Sequence, residues 1–238
     1  MLFYKKEDII NAMDLTKFIE ILANLLAAVA IICIHEFAHA FTAYKCGDST
    51  AKYAGRMTLN PVKHFDLLGM LMFGLAGFGW SKPVPINPNN FKRYKLGTFL
   101  TSAAGILANL LFAFLMYPLF QLIVLYVFPY ISGKNLGWFL ICLFSSLYAM
   151  SLNFAAFNLL PLYPLDGFRI VEAFNKKRGK VFRFLRNYGY YILLALILIN
   201  LAAKYIDVFA YIDLLGFVMF WLTTALDYPI SLFWGLIF

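Results

Sequence analysis

The chain has 238 residues, 63% of them hydrophobic, 19% aromatic and only 13% charged, with a mean hydropathy of +0.76. A soluble domain must face water over its whole exterior, so this composition excludes one and points to an all-α polytopic membrane protein, read as a single membrane-embedded domain over residues 1–238. The formal charge of +8 is gathered into a few segments without interleaved exposed aromatics, which suits loops against anionic lipid and argues against a nucleic-acid partner.

The first residues are polar and charged and show neither an apolar core nor a small-residue cleavage site, so no removable signal peptide is expected. An apolar helix is predicted over residues 15–44. Near its end stands Ile-His-Glu-Phe-Ala-His, residues 34–39, a His-Glu-x-x-His sequence inside an apolar stretch. On a helix, His35 and His39 are one turn apart and about 40° around the axis, so both imidazoles can reach one ion. Glu36 is placed to contact water at that ion without being a ligand. A catalytic zinc site takes three protein ligands and leaves a position for water, which a neighbouring carboxylate can deprotonate. Burying three ionisable groups in an apolar helix costs several kcal/mol unless a metal satisfies them, which favours the metal reading over packed histidines. Cys33 points to the far side of the helix and Cys46 is about 10 Å further along it, so neither fits as a ligand.

Residues 45–66 form a basic loop with Lys45, Lys52, Arg56 and Lys63. His64, in Lys-His-Phe-Asp, reads there as a surface or interface residue rather than a ligand. The Gly-rich apolar run at 67–80 is too short for a bilayer core that needs about 20 residues. Residues 81–97 follow with Pro83, Pro85 and Pro88, which favour extended chain. Basic residues flank the run on both sides, so residues 67–97 are expected to form a re-entrant, strand-like segment. A second long helix is predicted over 98–128, with small residues at its start for close approach in lipid. A third covers 137–160 and ends in Leu-Leu-Pro-Leu-Tyr-Pro-Leu-Asp-Gly, ahead of a short amphipathic stretch to 174. A dense positive run at 176–186 then precedes two apolar helices at 188–203 and 214–238, giving about five crossings. The positive-inside rule puts the N-terminus outside, the C-terminus inside and the motif near the cytoplasmic face of an integral protein of the cell (plasma) membrane.

Two imidazoles leave a third ligand to find among twelve carboxylates. On the correct side stand Asp48, Asp66, Asp166 and Glu172. Asp166 is singled out by Pro161, Pro164 and Gly167, a broken helix that can aim one carboxylate at a neighbour. Local sequence equally allows it to cap the helix that follows.

His-Glu-Phe-Ala-His in an early membrane helix, a Gly/Pro-rich segment, Ala-Gly-Ile-Leu-Ala-Asn at 104–109 and Asn-Leu-Leu-Pro-Leu-Tyr-Pro-Leu-Asp-Gly at 158–167 together resemble the site-2 protease family of intramembrane zinc metalloproteases. The resemblance covers a catalytic core of about residues 20–175, with the helices of about 188–238 outside it. It implies one zinc ion per chain held by His35, His39 and Asp166, with Glu36 as catalytic base. It further implies that Asn158 positions substrate or its oxyanion, and that Asn153 supports substrate binding. Segment 67–97 is similar to the family's membrane-associated strand region beside the substrate. Ile106 stands where the family often has Pro, and no PDZ-like insertion or nucleotide-sensing CBS domain is evident, so the chain is similar to the minimal branch. The implied partners are a transmembrane protein or peptide substrate and the lipid bilayer. A metal transporter needs ionisable groups at several depths, and the outer half of this bundle offers almost none. A catalytically dead scaffold is disfavoured by the intact His, Glu, His and Asp set.

Overall fold

The structure is a computed structural model describing residues 6–69, 72, 79–130, 133–175 and 178–238; for residues 6–14 and Lys134 it describes the backbone alone. It is all-helical, with no β-strand among the described residues. Six main helices follow in order: α1 (Lys6–Cys46), α2 (Tyr94–Leu122), α3 (Lys134–Leu159), α4 (Asp166–Phe174), α5 (Lys180–Ala203) and α6 (Leu214–Gly235). Five of them, all but α4, are long and apolar enough to cross a membrane.

Helices α1, α2 and α3 form the central trio. Small residues let α1 approach its neighbours: Ala23, Ala27, Ala40 and Ala43 are all fully buried. Ala27 and Ile31 pack with Leu147 of α3, and Phe112 and Met116 of α2 lean on the same cluster. Helix α6 joins through Ile230, which meets Ala113 and Leu152. Pro118 inside α2 has no N–H for the carbonyl of Phe114, four residues back. The indole N–H of Trp234 on α6 donates to that carbonyl instead, at 2.9 Å.

Four of the five long helices start earlier than expected, and the last starts at Leu214 as expected. Helix α2 begins at Tyr94, four residues before the predicted boundary, and continues through a π-helical turn and a 3-10 turn to Tyr130. Helix α5 begins at Lys180, so half of the positive run expected as a loop is helical. Arg186 in its second turn pairs with Glu172 of α4 at 2.7 Å. Hydropathy locates the part of a helix that meets lipid, not its first turns, where long basic side chains can reach water.

Most of the run expected to re-enter the membrane, at 70–71 and 73–78, lies outside the described residues. The part from Gly79 to Asn87 has no regular secondary structure, with Asn87 extended, and then makes a 3-10 turn at Pro88–Asn90. Side chains tie this segment to the end of α1. Asp48, fully buried, accepts from the Thr50 and Asn87 backbone N–H groups, from the Thr50 hydroxyl and from the Asn90 amide. Arg56, almost buried, donates to the carbonyls of Lys82 and Pro83. His64 is no surface residue: it is fully buried, its Nε2 donates to the Thr58 carbonyl at 2.7 Å, and its own carbonyl accepts from the N–H of Lys82. Chain folding back on itself, rather than local polarity, decided its burial.

Candidate metal centre

The site is built where α1, α2 and the break between α3 and α4 meet. His35, Glu36, His39 and Asp166 are all buried there. His35 Nε2 and His39 Nε2 stand 2.9 Å apart, and Asp166 Oδ2 lies 3.3 and 3.0 Å from them. Among the described residues, these three form the one cluster of His, Cys, Asp and Glu side chains compact enough for a metal ion. Three ligands at about 2.0–2.2 Å from a tetrahedral zinc stand roughly 3.4 Å apart, so the donors need to spread by only a few tenths of an ångström. Asp166 Oδ2 is moreover buried without a hydrogen-bond partner, which a cation would supply. Two imidazoles and one carboxylate suit zinc.

Asp166 reaches the imidazoles because the chain breaks on the way to it. Helix α3 ends at Leu159, and Pro161 and Pro164 prevent its continuation. Gly167 abuts the carbonyls of Leu159 and Leu160 too closely for any Cβ. Asp166 is the first residue of α4, Leu165 is its N-cap, and no side chain caps the helix, so the capping alternative is not what the structure contains.

Helix α2 backs the imidazoles. His39 Nδ1 is 2.6 Å from the Thr101 carbonyl, so it carries the proton and leaves Nε2 free for a metal. A Cβ at Gly105 would fall 2.5 Å from His39 Nε2 and 2.6 Å from His35 Cε1, so only glycine lets both rings lie on this helix. Phe154 closes the other side, edge-on to the His35 ring at 4.9 Å.

Sequence reasoning missed the groups that hold Glu36. Ser81 Oγ donates to Glu36 Oε1 at 3.1 Å, and the Val84 N–H donates to Oε2 at 2.8 Å. Both donors come from the segment anchored by Arg56, His64 and Asp48. Nothing local marks Ser81, 45 residues from Glu36, as its partner.

The structure does not draw Asn153 and Asn158 into the triad of donors. Each donates to its own helix, Asn153 to the Ala149 carbonyl at 2.8 Å and Asn158 to the Phe154 carbonyl at 3.0 Å. Asn153 is exposed and lines a cavity of about 580 Å³, whose walls include Asn24, Ile32, Phe157, Asn200 and Trp80. Asn158 is largely buried.

The family model for peptidase family M50 matches residues 23–200 of the chain. A Bacillus subtilis protein named "Putative zinc metalloprotease YwhC" is 43% identical over 148 residues, 62% of this chain and 67% of that protein. The Mycolicibacterium smegmatis protein named "Putative zinc metalloprotease Rip2" is 27% identical over 187 residues, 76% and 67% of the two chains. Its Mycobacterium tuberculosis namesake is 31% identical over 160 residues, 65% and 57%. No solved structure matches the chain significantly.

Proposed function

The chain belongs to peptidase family M50, and on that premise we propose that it is an intramembrane zinc metalloprotease that cleaves peptide bonds in or near transmembrane segments of other proteins. In this reading His35, His39 and Asp166 hold one zinc ion and Glu36 is the general base. The observation that carries it is the triangle of two Nε2 atoms and one orphaned carboxylate oxygen, all within 3.3 Å, next in the chain to a buried glutamate.

A zinc ion at these donors supplies Lewis acidity, which makes water a nucleophile near neutral pH. The chain's own residues do the rest. Glu36 accepts the proton of the attacking water and returns it to the leaving amine. Ser81 and Val84 fix its carboxylate, each oxygen keeping a second lone pair for that proton. A helical substrate hides its carbonyls in internal hydrogen bonds, so it must unwind locally before attack. The cavity beside Asn153 is the place for such a segment, and Asn153 contributes once its amide turns from the Ala149 carbonyl toward substrate. Asn158 serves substrate or oxyanion only after a similar release.

The basic segments around Lys52, Lys63 and Lys82 support a site near the cytoplasmic face of the cell membrane with the N-terminus outside. Single cysteines placed at 52 or 63 in sealed vesicles test this, since labelling from the outer side alone would reverse the orientation. The single-domain reading, with a catalytic core over about 20–175, stands with this proposal.

Metal analysis and reconstituted cleavage test the chemistry together. Glu36→Gln should keep zinc and lose turnover, whereas Asp166→Asn should lose zinc. Retained turnover in the first removes Glu36 as base, and unchanged zinc in the second removes Asp166 from the site.

A further inference from the structure

Beside the imidazoles stands a buried polar group to which the metal-site reading gives no task. Asn109 of α2 is fully buried, its Nδ2 is 3.2 Å from His35 Nδ1, and its Oδ1 has no hydrogen-bond partner. A buried carbonyl oxygen left unsatisfied costs about 1–3 kcal/mol, so it calls for a reason.

The tautomer of His35 supplies one. An imidazole that gives its Nε2 lone pair to a cation must carry its proton on Nδ1, and that N–H then needs an acceptor. The NH2 end of an amide cannot accept, but the oxygen end can, and the two ends have nearly the same shape. Turned end for end, the Asn109 amide brings its orphaned oxygen to Nδ1–H and satisfies both groups at once. As it stands, with NH2 toward Nδ1, the amide matches the opposite tautomer, in which His35 Nε2 carries the proton beside Asp166 Oδ2 at 3.3 Å. Asparagine can serve both states, and a leucine of similar size neither.

His39 is treated alike by the same helix. Thr101, whose carbonyl faces His39 Nδ1, Gly105, against which both rings lie, and Asn109 follow at intervals of four residues, on one face of α2. We propose that Asn109 is a positioning residue of the metal centre, its amide oxygen accepting from His35 Nδ1–H and thereby fixing the tautomer and direction of that ligand. The inference rests on His35 being a zinc ligand. Partners of this kind are worth roughly 10–100-fold in metal affinity. A polar group that only joins two helices would affect stability and leave metal affinity alone.

The test is zinc affinity of the full chain in detergent, measured by competition with a chromophoric chelator. Asn109→Leu and Asn109→Ala remove the acceptor, and each should weaken zinc binding by about tenfold or more. Asn109→Asp keeps an acceptor and should bind zinc close to wild type. Asn109→Ala adds no bulk, so it stands in should the leucine variant fail to fold. Wild-type affinity in both acceptor-less variants overturns the proposal, as does an aspartate variant no tighter than they are. If wild-type zinc binding is itself indifferent to His35→Ala, the metal reading falls and not merely the role of Asn109.

Discussion

Replacing Gly105 by alanine tests the geometry of the centre most directly. The added methyl would lie 2.5 Å from His39 Nε2, 2.6 Å from His35 Cε1 and 2.7 Å from His35 Nδ1. Ordinary contact begins near 3.4 Å, so the rings or the helix must retreat by about 0.9 Å (3.4 less 2.5). The rings have little room to do so: His39 is pinned by the Thr101 carbonyl and His35 by Phe154. A metal site tolerates displacements of about 0.2 Å, so a shift several times larger removes at least one ligand from reach. Overpacking of one methyl costs about 1–3 kcal/mol, which leaves a bundle of this size folded. The expectation is a folded protein whose zinc affinity and cleavage both fall by at least about 100-fold. Leu107→Ala is the control, because Leu107 is on the same helix but 61% exposed, and it should change neither. Metal content after dialysis against a chelator and cleavage in a reconstituted assay read the two quantities, and thermal unfolding in micelles reads the fold. A Gly105→Ala protein that retains one zinc per chain and wild-type turnover would refute the close packing of both imidazoles on α2.

Two further outcomes follow from the segment that carries Ser81. Ser81→Ala removes one of the two donors on Glu36 and should lower kcat by roughly 2- to 10-fold, the worth of one such bond, while zinc content is unchanged; a loss of zinc instead would mean the segment shapes the ligands rather than the base. For Asp48, burial acts to raise the carboxyl, and the bonds from Thr50, Asn90 and Asn87 outweigh it and hold the group below its ordinary value of 3.8. A depressed carboxyl stabilises the fold above its unfolded value and loses that contribution as pH falls through the folded one. Asp48→Asn should therefore unfold at lower temperature than wild type at neutral pH, with the gap closing below about pH 4. A gap that is constant with pH would show that ionisation of Asp48 is not what holds the segment.

How much of the centre was legible in the sequence depended on the distance over which each relation acts. His35 and His39 declare themselves, because helix geometry converts a spacing of four into one shared face. Asp166 was half legible: Pro161, Pro164 and Gly167 announce a break, yet only the fold shows which neighbour the break faces. The holders of the site carried no signal, since Ser81 with Glu36, Thr101 with His39 and Asn109 with His35 are pairs separated by 45, 62 and 74 residues. The burial of His64 was missed for a related reason. Its neighbours Lys63 and Asp66 are polar, but its burial comes from contacts with Thr58 and Lys82 that the chain creates only on folding back. The five apolar helices were found from composition, and the first turns of four of them were not; at Lys180 and Arg183, for example, basic residues oppose burial in lipid without opposing helix.

The proline in α2 has a consequence for how the last helix finds its place. Lipid tails offer no donor, so the carbonyl of Phe114 must find its partner within the protein. The Trp234 indole is that partner, and sliding α6 along α2 by a single residue, about 1.5 Å, would strand it. Two greasy surfaces that could otherwise glide past each other are thereby keyed at one point, and the chain's C-terminal segment acquires a fixed register against the helix that also backs the imidazoles.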